Sequence, residues 1–163
     1  MKSLLLMRHA KSSWAEADLP DHDRPLNERG RKDAPRMGKL LRREGVLPGL
    51  IISSTALRAR TTAELAAQAC GYTGEVLLTD ALYNAAPAAY LRLAQEVADE
   101  VECLMLVGHN PGLEELVLGL TGQAEAMPTA AMAHIRLPIA RWQEVEAGVG
   151  GTLDRVFRPK KSD

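Results

Sequence analysis

The chain has 163 residues, of which 46% are hydrophobic and 25% are charged, a composition typical of globular proteins. This length allows a well-buried core, and we expect residues 1–163 to form a single domain. A net charge of −1 provides no general field that would attract nucleic acid or an anionic membrane. The longest apolar runs are too short for a transmembrane helix.

The two ends of the chain and its cysteines carry no targeting or metal signal. The segment 1–7 is similar to the start of a signal peptide, but its apolar part is short and Arg8 ends it before any cleavage site. Cys70 and Cys103 lack the close partners that metal sites use, which predicts reduced, mostly buried thiols. The basic segment 158–161 is expected to be a solvated tail. We therefore expect a cytoplasmic protein that needs no metal or cofactor.

Short apolar runs alternate with helical patterns, which predicts an α/β fold. Asn27 and Asn110 are predicted to cap helices, whereas Gly45 and Gly71 are predicted to end them. The alternation of residue types in 132–137 predicts a half-exposed strand. Strands are predicted at 2–7, 50–52, 76–78, 103–107, 132–137 and 153–157, and helices at 27–41, 56–69, 86–100 and 111–120. We expect a three-layer α/β/α sandwich whose sheet is mixed and mostly parallel.

Arginine and histidine residues follow three of the predicted strands. Arg8 and His9 come after the first strand, Arg58 lies in the polar segment 53–62 after the second, and His109 follows the strand that begins at Cys103. Ligands of open α/β sheets bind beyond the carboxyl ends of the strands, where helix N-termini also favour anions. Cationic and imidazole side chains would be costly to bury without a partner. The presence of arginine or histidine after each of these three strands predicts a pocket in which two arginines and two histidines bind a phosphoryl group.

These segments resemble the motifs of the histidine phosphatase (phosphoglycerate mutase-like) superfamily. The segment 6–12, Leu-Met-Arg-His-Ala-Lys-Ser, is similar to its Arg-His-Gly signature, with alanine in place of glycine. The segment 53–61 is similar to its second motif, Ser-x-x-x-Arg-Ala-x-x-Thr, and 108–111 is similar to its third. The short chain and the segment 23–30, Asp-Arg-Pro-Leu-Asn-Glu-Arg-Gly, resemble the SixA branch of phosphohistidine phosphatases.

The resemblance implies a role for each matching residue. His9 would be the nucleophile that becomes phosphohistidine, and Arg8, Arg58 and His109 would hold the phosphoryl oxygens. Ser12 would add a polar contact to the substrate, and we also assign Asn110, beside His109, to substrate binding. Positioning and charge stabilisation account for most of the catalysis in phosphoryl transfer, which suits such a pocket. Neighbouring arginine charges are expected to lower the pKa of the nucleophilic histidine and keep it neutral.

One departure from the family pattern bears on the substrate. Many relatives carry a glutamate acid shortly after a leucine, where this chain has Leu82, Tyr83 and Asn84. An alkoxide leaving group gains from a positioned acid, whereas imidazole departs from a phosphoramidate once its free nitrogen is protonated. The missing glutamate therefore favours protein phosphohistidine as the substrate, although Glu16 and Asp18, in the polar loop after the first strand, are open alternatives as proton donors.

Two other functions are compatible with these residues. A phosphatase of small phosphomonoesters would use the same pocket, and a non-catalytic phospho-binding module would need no nucleophile beside its arginines. The partner is accordingly a phosphorylated protein or a small phosphate ester. The run Asp21-His22-Asp23 is similar to the Asp-x-Asp of aspartate-based phosphatases, but no apolar strand precedes it, which predicts a polar loop or helix entry. No nucleotide-binding glycine-rich loop and no histidine spacing of a metal site is present in the sequence.

Overall fold

A computed structural model describes residues 1–159 and consists of a six-stranded sheet with helices packed on both faces. The strands are β1 (Lys2–Arg8), β2 (Leu50–Ser54), β3 (Val76–Thr79), β4 (Cys103–Gly108), β5 (Met132–Leu137) and β6 (Thr152–Phe157). The helices are α1 (Glu28–Glu44), α2 (Leu57–Cys70), α3 (Pro87–Gln95) and α4 (Gly112–Thr121).

The sheet has the strand order β3-β2-β4-β1-β5-β6. The strands β3, β2, β4 and β1 are parallel, while β5 runs antiparallel to β1 and β6 antiparallel to β5. The prediction of a three-layer sandwich with a mixed, mostly parallel sheet is confirmed. Arg8 pairs with Gly108, so β1 and β4 end at the same level in the middle of the sheet, next to the end of β2. The carboxyl ends of β1, β4 and β2 therefore meet at one edge of the sheet.

The core is divided between the two faces of the sheet. Leu5 and Met7 of β1 pack on the face that α1 and α2 cover, and Leu4 and Leu6 pack on the face that α3 and α4 cover. Successive side chains of a strand point to opposite faces, so a strand covered on both sides reads as a continuous apolar run. This is why β1 and β4 are recognisable in the sequence.

The helix ends confirm most of the predicted signals. The side chain of Asn27 accepts a hydrogen bond from the Gly30 backbone N–H at 2.9 Å and caps α1. Gly45 and Gly71 end α1 and α2 with φ of 70° and 82°, a region that glycine adopts without strain. The first turn of α1 packs tightly against the loop after β1, because a Cβ atom at Gly30 would lie 2.2 Å from the Lys11 carbonyl oxygen.

The predicted end of α3 and the predicted cap of α4 are wrong. Helix α3 ends at Gln95 rather than at position 100, and the chain beyond it turns towards the segment 142–145. There the Gln95 side chain donates to the Val145 carbonyl at 2.8 Å, and the Asp99 carboxylate accepts the Trp142 backbone N–H at 3.0 Å. Helix α4 begins at Gly112, with Pro111 in the cap position and without a side-chain cap. Tertiary contacts outweigh helical propensity at α3.

The prediction of a half-exposed strand at 132–137 is also wrong. Every residue of β5 except Arg136 is buried. His134 shares its face of the strand with Arg136 but is covered, and its ring contacts the Ser3 hydroxyl and the Asp154 carboxylate at 3.3 and 3.4 Å. The polar character of histidine indicated exposure in the sequence, whereas local partners allow this side chain to be buried.

At the C-terminus, Arg158 forms an ion pair with Glu125 at 3.0 Å, and Lys160 and Lys161 of the predicted basic tail lie outside the described residues. Within residues 1–159 no helix is long and apolar enough to cross a membrane.

Candidate active site

The backbone of His9 is fixed at the central end of the sheet. Its N–H donates to the Gly108 carbonyl at 3.1 Å, and its own carbonyl accepts the Ala130 N–H at 3.0 Å. The residue is thus held between the end of β4 and the segment that leads into β5. His9 is 7% exposed.

The ring of His9 is oriented by its neighbour in sequence. Its Nδ1 lies 2.8 Å from the Ala10 carbonyl oxygen, and a carbonyl can only accept a hydrogen bond. We therefore assign the proton to Nδ1, which leaves a lone pair on Nε2. Burial is the largest cause that lowers the pKa of His9; the Ala10 hydrogen bond opposes it, the positive charges of Arg58, Arg8 and Arg24 add to it, and together these effects lower the pKa to about 4. The expected direction is confirmed, but burial and not arginine is its largest cause.

Helix α2 supports this arrangement through Thr62. The Thr62 hydroxyl accepts the Ala10 N–H at 2.9 Å and donates to the Arg58 carbonyl at 2.7 Å. It therefore joins the segment after β1 to the first turn of α2. No signal in the local sequence pattern indicates which residues Thr62 contacts.

Arg58 is buried, and its guanidinium is bound by Asp21. Its Nη1 donates to the Asp21 carbonyl at 2.7 Å and its Nη2 to the Asp21 carboxylate at 2.9 Å. That carboxylate also accepts a hydrogen bond from the Tyr83 hydroxyl at 2.5 Å and one from Arg24 Nε at 3.2 Å. The hydrogen bond from Tyr83, followed by those from Arg58 and Arg24, holds the pKa of Asp21 well below its usual range. The predicted polar loop at 21–23 is a short 3-10 helix that positions an anion between two arginines.

His109 is held by contacts from α3 and from the end of β2. Its backbone N–H donates to the Tyr90 hydroxyl at 3.2 Å, and its Nε2 lies 2.9 Å from the Ser54 hydroxyl at the end of β2. The hydroxyl of Tyr90 fits there because residue 108 is glycine, where a Cβ atom would lie 2.1 Å from it. Burial lowers the pKa of His109 to about 3, with the nearby charge of His9 as the next cause. The centroids of the two imidazole rings are 5.2 Å apart.

Arg8 and Asn110 are joined through the Met127 carbonyl. Arg8 Nη1 donates to it at 3.1 Å and Asn110 Nδ2 at 3.0 Å. Asn110 Nδ2 also donates to the Glu114 carboxylate at 2.7 Å. This pairing with the first turn of α4 explains why the predicted cap at Asn110 is wrong. Its Oδ1 atom is buried and has no hydrogen-bond partner among the described residues.

Ser12 contacts Arg24, a buried arginine at the pocket. The Ser12 hydroxyl accepts a hydrogen bond from Arg24 Nη1 at 2.8 Å. Arg24 is buried, and its guanidinium carbon lies 3.5 Å from the centroid of the Trp14 ring. In the sequence Arg24 is one charge in a polar segment, and no spacing signal distinguishes it from a solvated residue.

All six predicted site residues line one pocket of about 210 Å³. The wall is rich in cationic and amide side chains and consists of Arg8, His9, Lys11, Ser12, Trp14, Arg24, Arg58, Asn84, His109, Asn110 and Thr129. The buried nitrogens Nε of Arg8, Nε of Arg58 and Nδ1 of His109 have no hydrogen-bond partner within residues 1–159. The two guanidinium nitrogens are donors that can bind an anion, and Nδ1 of His109 is a third donor in the tautomer whose proton it carries, with Nε2 accepting from Ser54. His9 offers a neutral imidazole in the same pocket.

Among the described residues, the pocket wall contains no acidic side chain and no cluster suited to a metal ion is found. Glu16 and Asp18 are exposed and do not belong to the pocket wall, and Asn84 does. In the described part of the chain, no group of three or more His, Cys, Asp or Glu side chains is placed to hold a metal ion.

Comparisons with known proteins agree with this fold. The family model of the histidine phosphatase superfamily (branch 1) matches residues 4–102. An uncharacterized chloroplastic protein of Arabidopsis thaliana is 34% identical over 173 residues, with 99% of this chain and 79% of that protein covered. A solved structure assigned as the phosphohistidine phosphatase SixA of Agrobacterium tumefaciens is 31% identical, covers 97% of this chain and 98% of that one, and has a TM-score of 0.81. The protein histidine phosphatase SixA complexed with tungstate has the same fold, with 22% identity, a TM-score of 0.82 and coverage of 96% of this chain and 97% of that one.

The chain therefore belongs to the histidine phosphatase superfamily, whose members include phosphatases with this fold. Within the superfamily it is a member of the SixA-type branch.

Proposed function

We propose that this phosphatase hydrolyses protein phosphohistidine through a covalent phosphohistidine intermediate on His9. The observation that carries the proposal is the state of the His9 ring. Its Nδ1–H is engaged by the Ala10 carbonyl and its pKa is lowered to about 4, so that Nε2 keeps an available lone pair at neutral pH. An amine-like nitrogen without a proton is the form that attacks phosphorus.

The reaction has two steps. The phosphoryl group of the substrate binds with its oxygens near Arg8, Arg58 and His109, and His9 Nε2 forms a bond to phosphorus while the P–N bond of the substrate breaks. The electron pair of that bond returns to the departing ring, which leaves as neutral imidazole because its other nitrogen carries a proton. Water then attacks phosphorus, the bond to His9 breaks, and inorganic phosphate is released. Preorganised cations stabilise the charge of the transferring group in both steps.

The lining of the pocket supports a phosphoramidate substrate. Within the described residues no aspartate or glutamate belongs to the pocket wall. Asp21, which binds Arg58 from outside the wall, has a pKa far below its usual range and is an anion that cannot donate a proton. Asn84 is an amide and cannot donate one either. A leaving group that departs as neutral imidazole has no need of such an acid.

The test measures phosphate release in metal chelator from a phosphohistidine protein and from an aryl phosphate. Wild type, His9→Ala and the matched control His134→Asn are compared, because His134 is a buried histidine outside the pocket. We expect release from phosphohistidine by wild type and by the control, and none by His9→Ala. An acid-labile, base-stable phosphoenzyme should form in wild type and in the control but not in His9→Ala. A preference for the aryl phosphate would assign the pocket to small phosphomonoesters. Binding without release from either substrate would indicate a phospho-binding module.

A further inference from the structure

Trp14 is an exposed aromatic side chain at the wall of the pocket. It is 75% exposed, whereas Trp142 is fully buried. A single exposed apolar side chain is common on protein surfaces, so its exposure alone indicates nothing. Trp14 differs because it lines the same pocket as His9 and because a buried side chain holds it in place.

That buried side chain is Arg24, whose guanidinium carbon lies 3.5 Å from the Trp14 ring centroid. Arg24 is fixed in turn, since its Nη1 donates to the Ser12 hydroxyl at 2.8 Å and to the Ser13 carbonyl at 3.3 Å, and its Nε to Asp21 at 3.2 Å. One face of the indole is therefore covered by an immobilised cation, an arrangement that is favourable in itself. The rest of the ring remains open to solvent at the pocket.

This ring lies on the exposed side of the pocket, towards which the leaving group of the substrate extends. The cationic and amide groups around His9 suit the phosphoryl group, and the group bonded to phosphorus must extend from there towards the exposed part of the wall. Trp14 is the exposed aromatic residue of that wall. We propose that Trp14 is a platform on which the imidazole ring of phosphohistidine stacks, and this inference rests on the proposed function.

The chemistry of the platform favours imidazole over other rings. Planar rings stack on indole, and the negative face of an indole attracts positive charge more strongly than that of other aromatic side chains. Before the P–N bond breaks, the imidazole of the substrate is protonated on its second nitrogen and carries positive charge. A phenyl ring of an aryl phosphate is neutral throughout. Trp14 is therefore expected to bind the protonated imidazole more strongly than a phenyl ring.

The first test compares kcat/KM of wild type, Trp14→Ala and Trp14→Phe on three substrates. These are phosphohistidine, phosphoramidate, which has the same P–N bond without a ring, and phenyl phosphate, which has a ring without imidazole. We expect Trp14→Ala to lower kcat/KM for phosphohistidine about tenfold, a loss that corresponds to one stacked aromatic contact, and to change phosphoramidate less than about twofold. Trp14→Phe should retain most of the activity on phosphohistidine. The matched control is Leu47→Ala, an exposed apolar residue outside this pocket.

An equal loss on all three substrates would overturn the proposal, because Trp14 would then act only by holding Arg24. A loss on phenyl phosphate as large as that on phosphohistidine would overturn the assignment to imidazole. No turnover of phosphohistidine by wild type would refute the proposed function, and a binding measurement then decides the platform separately.

That measurement uses tryptophan fluorescence of the inactive His9→Ala protein. The chain has two tryptophans and Trp142 is fully buried, so a change in emission on adding ligand reports mainly on Trp14. We expect phosphohistidine to change the emission with saturation and phosphoramidate to leave it unchanged. The response should disappear in the double variant with Trp14→Ala. An identical response to both ligands, or none to phosphohistidine, would contradict the platform.

Discussion

The protonation of His9 is the property on which the proposed reaction depends most. Its pKa is lowered from 6.5 to about 4. At about pH 6 an ordinary histidine is about three-quarters protonated, whereas His9 is expected to be about 1% protonated. The difference in pKa corresponds to about 3 kcal/mol between the two protonation states. The proposed nucleophile should therefore stay neutral across the whole range in which a solvent-exposed histidine acquires its charge.

The same shift predicts how stability depends on pH. Because the folded pKa of His9 lies below the unfolded one, the unfolded chain binds more protons between about pH 6.5 and pH 4. The contribution of His9 to stability is therefore fully present above about pH 6.5 and is lost as the pH falls towards about 4. His109, with a pKa of about 3, acts in the same direction over a wider range.

Two measurements check this prediction. In protein with labelled histidine, the nitrogen chemical shifts of His9 should show a neutral ring with its proton on Nδ1 down to about pH 5. In denaturant unfolding, His9→Gln should lose less stability than wild type between about pH 6.5 and 4, by up to about 3 kcal/mol. A His9 ring that titrates near pH 6.5, or that carries its proton on Nε2, would refute the reasoning.

Three other predictions follow from single contacts. Asp21→Asn keeps the shape of the side chain but removes the charge that binds Arg58. We expect kcat to fall about tenfold, which corresponds to a loss of about 1.5 kcal/mol of transition-state stabilisation, and an unchanged steady-state rate would contradict the role of this charge. Gly108→Ala places a Cβ atom 2.1 Å from the Tyr90 hydroxyl, and thermal unfolding should show a loss of about 1–3 kcal/mol that a wild-type melting curve would refute. Removal of divalent metals with chelator should leave the rate unchanged, because guanidinium groups supply the positive charge, and activity restored only by added metal would disprove it.

Much of the fold could be predicted because its signals are local. The buried strands β1 and β4 are continuous apolar runs. Asn27 directly precedes α1 and Gly45 directly follows it, so each end of this helix has its own local signal. The errors arise where distant segments decide the outcome. Helix α3 stops early because Asp99 contacts a segment more than forty residues away, and β5 is buried because His134 has partners on β1 and β6.

The candidate site likewise contains residues that local signals identify and residues whose places depend on contacts between distant segments. His9 and His109 were identified because each directly follows a recognisable strand, and topology brings such positions together. Asp21, Arg24 and Thr62 were missed because their places depend on how the loop after β1 folds over α2, which no periodicity or cap encodes. Asp21 nevertheless binds the Arg58 guanidinium, and Thr62 holds the backbone of Ala10, whose carbonyl orients the His9 ring. The sequence therefore identifies the groups proposed to carry out the chemistry better than those that position them.

Burial explains how one pocket can bind an anion and also offer a nucleophile. A guanidinium has so high a pKa that it keeps its charge when buried, whereas an imidazole loses its charge under the same conditions. Arg8, Arg24 and Arg58 therefore remain cationic beside His9 and His109, whose pKa values burial lowers to about 4 and 3. On an exposed surface the same Arg-His pair would bind phosphate with a largely protonated histidine in mildly acidic solution. Burial at this end of the sheet therefore lets the arginines bind the anion while the imidazole stays neutral. Lysine could not replace the arginines in this way, because a buried lysine loses its charge more readily.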